Sequence, residues 1–259
     1  MLLVAMAMQA QTTTTIQPKI KIGGNVYGGG NAGDMTGSTS VTVYAGDLKD
    51  VYGGARMADV GGRTFVNIDG AHSSDDILIM NVYGGNDISG KIGESETATT
   101  VPTELTEVGT TAGKSNINNT WKAFIRTSPC TTKETVTVGT GTDATEVTAE
   151  KNLVVIGGLF GGGNGDYTYG SRTTGEGAEA VTTYFAKKGT EEVATSTKEE
   201  LKAPELSKTY LEVTGGNIAH VYGGGNNATV TQATTICIDN ASDDLQKVAT
   251  VRAGKTDSQ

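Results

Sequence analysis

The sequence predicts an all-β chain wound as a parallel β-helix, right-handed, with about 25 residues per coil and two irregular insertions. Three observations predict it. A short phrase recurs as Val26-Tyr27-Gly28-Gly29-Gly30-Asn31, Val51-Tyr52-Gly53-Gly54, Val82-Tyr83-Gly84-Gly85-Asn86, Leu159-Phe160-Gly161-Gly162-Gly163-Asn164 and Val221-Tyr222-Gly223-Gly224-Gly225-Asn226. Apolar pairs follow it in step, Val41 with Val43, Val66 with Ile68 and Ile236 with Ile238, each pair 15 and 17 residues after the opening Val. The spacing also holds at both ends: Val26 to Val51, Val43 to Ile68 and Val213 to Ile238 are each 25 residues apart.

Apolar residues two apart point to one face of a strand, and β-branched side chains suit a pleated surface. The glycines mark corners that need positive φ or a close backbone approach. One coil cannot stand alone. Its few inward side chains are worth about 1.5–3 kcal/mol each when buried, whereas ordering its backbone costs about 1–2 kcal/mol per residue. Coils must therefore stack, and parallel crossovers favour the right hand. At about 4.8 Å per coil, roughly seven coils are expected in a rod on the order of 35 Å long.

Composition agrees. The chain has 259 residues, 37 of them Gly, with 36% hydrophobic and 5% aromatic residues, which is lean for a globular enzyme and suits a narrow core. The net charge of −9 argues against nucleic acid as a partner, because phosphate binding needs clustered Lys and Arg. Cys130 and Cys237 lie 107 residues apart, and their pairing is open. Cys237 sits between two inward residues, so it is expected to face outward.

Taken in order, residues 1–10 read as part of a secretory signal peptide, too short to span a bilayer. Residues 11–22 form a leader and opening cap, with Ile20 and Ile22 alternating with lysines. The β-helix covers 23–240, interrupted by insertions at about 94–120 and 165–207. In the third copy of the phrase, Ile88 falls six residues after Val82, where Met35, Val60 and Val230 fall nine after theirs. Leu153–Gly158 matches Leu211–Gly216, but only the second is followed by four extra residues, Asn217 to His220, before the phrase. Residues 197–203 suggest a short helix ended by Pro204. Residues 241–259 are a polar tail or the start of a continuation into a longer parent chain.

Chemistry is sparse. Gly109–Ser115 resembles a phosphate-binding loop but has Val108 where a glycine is required. His72 and His220 read as corner residues, the latter at the place of Asp50 and Asn81, and no catalytic residues are expected. Asp34 and Asp59 share a repeat position, with Asp87 and Asp166 near it. Stacked carboxylates beside Gly and Asn carbonyls are candidate Ca²⁺ ligands, against the plainer reading that they accept corner N–H bonds. Tyr27, Tyr52, Tyr83, Phe160 and Tyr222 follow the opening apolar residue and are expected to stack outside the core. They form either an aromatic strip for sugar rings or a structural ladder covered by the second insertion. Asn31, Asn86, Asn164 and Asn226 suggest a second ladder, of amides.

The Tyr-Gly-Gly-Gly-Asn phrase with its Thr-Val-Thr-Val strand and further Gly corner resembles the repeats of large secreted or cell-surface proteins of Bacteroidetes, over most of 23–93 and 151–240. The resemblance implies an exported, adhesin-like β-helical rod and carries over no catalytic residue. The expected function is a non-enzymatic extracellular structural or adhesive module, secreted or held at the outer membrane surface. Its expected partners are glycans or host and cell-surface proteins, without a membrane span. Two readings compete, a carbohydrate-active β-helix enzyme (lyase or glycoside hydrolase) and a phage or secretion fibre fragment.

Overall fold

A computed structural model of the chain describes residues 20–72, 75–93, 121–129, 133–138, 141–150, 153–196 and 201–238. The expectations for the signal peptide, the first insertion, the phosphate-loop resemblance, Cys130 and the tail lie outside these residues. Among the described residues the chain is nearly all β, with 53% of them in strands. Among the described residues no helix is long and apolar enough to cross a membrane.

The strands in chain order are β1 (Lys21–Ile22), β2 (Val26–Tyr27), β3 (Thr39–Val43), β4 (Gly46–Tyr52), β5 (Thr64–Asp69), β6 (Ile77–Tyr83), β7 (Ala123–Ser128), β8 (Lys133–Val138) and β9 (Thr145–Glu150). They continue with β10 (Val154–Phe160), β11 (Thr168–Thr174), β12 (Val181–Lys188), β13 (Glu191–Thr195), β14 (Glu205–Leu206), β15 (Thr209–Val213), β16 (Asn217–Tyr222), β17 (Thr229–Val230) and β18 (Thr234–Ile238). Two parallel sheets dominate. In the first, β1 and β2 both pair with β4, which is followed by β6, β10 and β16. In the second the order is β3-β5-β7-β15-β18. A third line of short contacts joins Met35 to Val60 and Val60 to Ile92, and pairs β14 with β17. Each pass of the chain adds one level to every line, and the described residues make five such levels.

The register places the opening apolar residues opposite one another: Val26 faces Val51, Val51 faces Val82, Val82 faces Leu159 and Leu159 faces Val221. A second column runs Val41, Val66, Ile125, Leu211, Ile236. These side chains meet in one core between the sheets. Thr127 occupies an otherwise aliphatic column and is fully buried. Its hydroxyl donates to the Gly215 carbonyl at 2.9 Å, which offsets the cost of placing it there.

The repeated glycines allow the levels to approach. The N–H of the first glycine donates to the carbonyl of the ring residue one level on, Gly53 to Tyr83 at 2.8 Å and Gly84 to Phe160 at 2.9 Å. A Cβ at Gly53 would sit 2.6 Å from the Gly84 oxygen. Contact between backbones, rather than positive φ, makes glycine necessary here. The carbonyl of that same glycine is reached by a threonine of the preceding level, as in Thr64 Oγ1 to Gly84 O at 2.5 Å and Thr209 Oγ1 to Gly223 O at 2.6 Å.

Several expectations are corrected. Ile88 is not the counterpart of Val60; Ile92 is, ten residues after Val82 where Val60 is nine after Val51, so the third copy carries one extra residue and is not trimmed. Leu153–Gly158 and Leu211–Gly216 are not equivalent: β10 lies in the first sheet opposite β6, and β15 lies in the second opposite β7. Asn217–His220 are accordingly no extra residues but the regular start of β16. The described residues make five levels where roughly seven were expected, because some of them stand outside the stack. β8 and β9 pair as an antiparallel hairpin, and β11-β12-β13 form an antiparallel sheet of their own within 165–207. Of the helix expected over 197–203, residues 197–200 lie outside the described residues and 201–203 carry none, and Glu205–Leu206 have already rejoined the stack.

Candidate functional site

The five aromatic residues of the phrase form one continuous stack along the first sheet. Ring centroids are 5.0 Å apart for Tyr27–Tyr52, 4.8 Å for Tyr52–Tyr83, 4.9 Å for Tyr83–Phe160 and 4.9 Å for Phe160–Tyr222, with planes within 14° of parallel. The spacing follows from the strand separation. Each internal ring therefore spends both faces on its neighbours. Tyr52 is 1% exposed and Tyr83 is buried, whereas Tyr222 on the last level is 46% exposed. The stack offers a sugar no open ring face at Tyr52 or Tyr83.

The hydroxyl end of the stack meets a buried carboxylate. Asp87, 1% exposed, accepts from Tyr27 Oη at 2.7 Å, Asn164 Nδ2 at 2.9 Å and Tyr167 Oη at 3.2 Å. Asn164 Nδ2 also lies 3.4 Å from Tyr52 Oη, and Asn25 Nδ2 donates to Tyr27 Oη at 3.1 Å. Hydrogen bonding to a buried carboxylate makes its burial tolerable. Burial first, and the Asp87 charge second, raise the phenols of Tyr27, Tyr52, Tyr167 and Tyr169 well above the usual tyrosine value. Tyr83 is raised by burial, then by Asp50 and Asp87. These phenols stay protonated at ordinary pH, and they act as hydrogen-bond donors and rigid spacers, not as bases.

The β11-β12-β13 sheet docks beside this cluster. Ile88, Ala186 and Leu201 pack with Met57, Tyr167, Tyr169, Tyr184 and Val193. Tyr169 Oη donates to the Ile88 carbonyl at 2.5 Å, Arg56 reaches Glu191 at 3.1 Å and Lys188 reaches Asp166 at 2.9 Å. The inserted sheet is thus anchored through Tyr167 and Tyr169 to the segment following the third phrase.

The four aspartates do not converge. Asp34 accepts the Asp59 N–H at 3.0 Å, and Asp59 accepts the Lys91 N–H at 2.8 Å, so both tie one level to the next. Asp87 and Asp166 are held as described. Among the described residues no group of three or more His, Cys, Asp or Glu is placed to hold a metal ion. The amide ladder forms only in part. Asn226 Nδ2 donates to Asn164 Oδ1 at 3.1 Å, but Asn86 turns to Ala55 N and Ala58 O, and Asn31 accepts from Arg56. His72 stacks on Tyr44 at 3.8 Å, and His220 lies on the exposed side of β16 in line with Gly158, Asn81 and Asp50.

A second aromatic cluster escaped the reading of the sequence. Phe65, Phe124 and Tyr210 stand opposite one another on the side of the second sheet away from the core, 5.2 and 5.1 Å apart, with Trp121 beside them and Arg63 over Trp121. Cys237 is a free thiol at the edge of this cluster. The signal was present: Thr64-Phe65-Val66, Ala123-Phe124-Ile125 and Thr209-Tyr210-Leu211 repeat one pattern in one phase.

No protein-family model, no curated protein and no solved structure matches this chain.

Proposed function

We propose that this chain is a right-handed parallel β-helix serving as a non-enzymatic, extracellular structural and adhesive module, of the kind its repeats resemble. The observation that carries the reading is the unbroken ring stack from Tyr27 to Tyr222, with the core columns beneath it. Side chains that would recur on a catalytic surface are instead spent on holding levels together. The tyrosines stack, Asp34 and Asp59 bridge levels, and Asp87 fastens the inserted sheet. Exported rods of this type present loops and insertions from a stiff column. The inserted β11-β12-β13 sheet is exposed along most of β11, which supports assigning it the contact with glycans or cell-surface proteins.

A glycan array read beside a polysaccharide-degradation assay tests this. Binding that is lost when residues 168–195 are replaced by a short Gly-Ser linker, with no product released from any polysaccharide, is the expected result. Release of unsaturated or reducing sugar ends would overturn the non-enzymatic reading.

A further inference from the structure

The geometry points to a second copy of this chain as the partner of the stack's open ends, in a head-to-tail line of molecules. Of the large apolar side chains that are exposed, Ile20 and Ile22 lie on the first level and Tyr222 and Ile238 on the last. Ile22 is 40% exposed, although its column mates Leu48 and Ile79 are buried. Ile238 is 45% exposed, although Val213 in the same column is fully buried. The backbone shows the same opening. A Cβ at Gly54, Gly85 or Gly162 would lie 2.9, 2.8 or 2.7 Å from the backbone of the next level, but at Gly224 it would meet nothing within 4 Å.

The two ends fit because each is one face of the contact already made inside the molecule. Continuing the register by one level sets Ile218 against Ile22 of the second copy, Val221 against Val26, Tyr222 against Tyr27 and Val230 against Met35. In the second sheet it sets Thr234 against Thr39, Ile236 against Val41 and Ile238 against Val43. In each of these pairs the partners are both apolar or both threonine, and Asn217 faces Lys21, so no like charges meet in them. The Thr234 hydroxyl comes to the carbonyl of Gly28 as Thr39, Thr64 and Thr209 come to Gly53, Gly84 and Gly223. The ring stack would run unbroken from one molecule into the next. Such an interface uses two different surfaces and does not close, so it builds lines rather than symmetric dimers.

The inference rests on the stacking in the proposed fold and not on any ligand. Cys237 and Thr42 provide the test, because the continued register places them opposite each other, both facing away from the core. Neighbouring strands are about 4.8 Å apart, within the roughly 4.4–6.8 Å that a disulfide spans between Cα atoms. Thr42→Cys in a Cys130→Ser background, mildly oxidised, is expected to give a ladder of covalent dimers, trimers and longer species on a non-reducing gel. Further substitution of Cys237→Ser is expected to abolish the ladder. Ile238→Lys is expected to weaken association in sedimentation by at least about tenfold while leaving thermal unfolding of the monomer unchanged. A monomer at every concentration, as when the chain's own remaining residues cover the ends, would overturn the proposal. So would a product that stops at the dimer. A Thr42→Cys/Asn67→Cys pair without the native cysteines forms an intramolecular bond if the levels stack. Its failure would sink the fold reading itself, which separates the two outcomes.

Discussion

Val26 and Val51 stand in one column one level apart, but Val51 is wholly out of water and Val26 is only half-buried. The same contrast separates Val66 from Val41, and Leu211 from Ile236. Sequence and local conformation barely differ within each pair; only the presence of a level on each side does. The difference shows that burial here comes from stacking, so a residue's importance depends on which level it occupies more than on what it is. Substituting equivalent positions at the middle and at the ends turns that contrast into measurements.

The ring stack gives the largest expected difference. Tyr52→Ala removes a ring stacked on both faces and should cost about 3–5 kcal/mol, as deletion of a buried aromatic does. Tyr222→Ala, stacked on one face and 46% exposed, should cost less than about 1 kcal/mol. Urea unfolding of both variants checks this. Equal losses would mean that the internal rings are not held by their neighbours.

Next come the glycines. Gly84→Ala drives a Cβ into the carbonyl of Gly161 and to 2.9 Å from the Ala123 side chain, and neither can retreat without separating levels. A loss of about 3 kcal/mol is expected, at the upper end for overpacking. Gly224→Ala meets open space, and it is expected to be neutral or slightly stabilising through the unfolded state, by up to about 1 kcal/mol. If both variants unfold alike, the close approach of levels at the phrase is not what selects glycine.

Alkali provides a third comparison. The Tyr52 phenol is raised above its usual 10.0 by burial, then by Asp87 and Asp50. The folded state therefore keeps this proton after the unfolded chain has lost it. The stabilisation is complete below about pH 10 and disappears as pH rises beyond that value, at about 1.4 kcal/mol per pH unit for one phenol. Tyr52→Phe keeps the stacked ring and gives up only the long contact with Asn164. It should match the parent at pH 7 and lose stability less steeply above pH 10, which melting curves from pH 7 to 11.5 would reveal. Identical alkaline slopes would show that this phenol is not shielded from solvent.

Much of this contrast was legible in the sequence, and the illegible parts have physical reasons. The phrase marked the first sheet because its glycines are demanded by backbone contact, which tolerates no substitute. Levels one and two kept their 25-residue step, so Met35, Val60, Val41 and Val66 could be placed by counting. Counting failed where the chain leaves the stack and returns. Ile92, not Ile88, meets Val60 because one inserted residue shifts the count without adding a level, and Leu153–Gly158 resembles Leu211–Gly216 because both are short apolar runs ending in Gly-Gly. Spacing cannot tell which sheet such a strand joins; only its partner can. The Asp87 cluster was hidden for a related reason. Tyr27 and Tyr167 are 60 and 80 residues from Asp87, and no local pattern announces that their hydroxyls converge.

The smallest expected effect concerns the threonines that reach across levels. Thr64 is fully buried, and its Oγ1 donates to the Gly84 carbonyl at 2.5 Å. Thr64→Val preserves shape and leaves that buried oxygen without this donor, for a loss of about 1–2 kcal/mol. In a chain of this size that lowers Tm by roughly 2–4 °C per kcal/mol. Thr234 holds the equivalent place on the last level but is exposed, so Thr234→Val in the monomer should stay within about 0.5 kcal/mol of the parent. Raising protein concentration sharpens the test. If a second copy covers the last level, the Thr234 hydroxyl acquires the role of Thr64, and Thr234→Val becomes destabilising only where the molecules associate. A Thr234→Val penalty that is the same at every concentration would place its cause within one chain and remove this support for the head-to-tail contact.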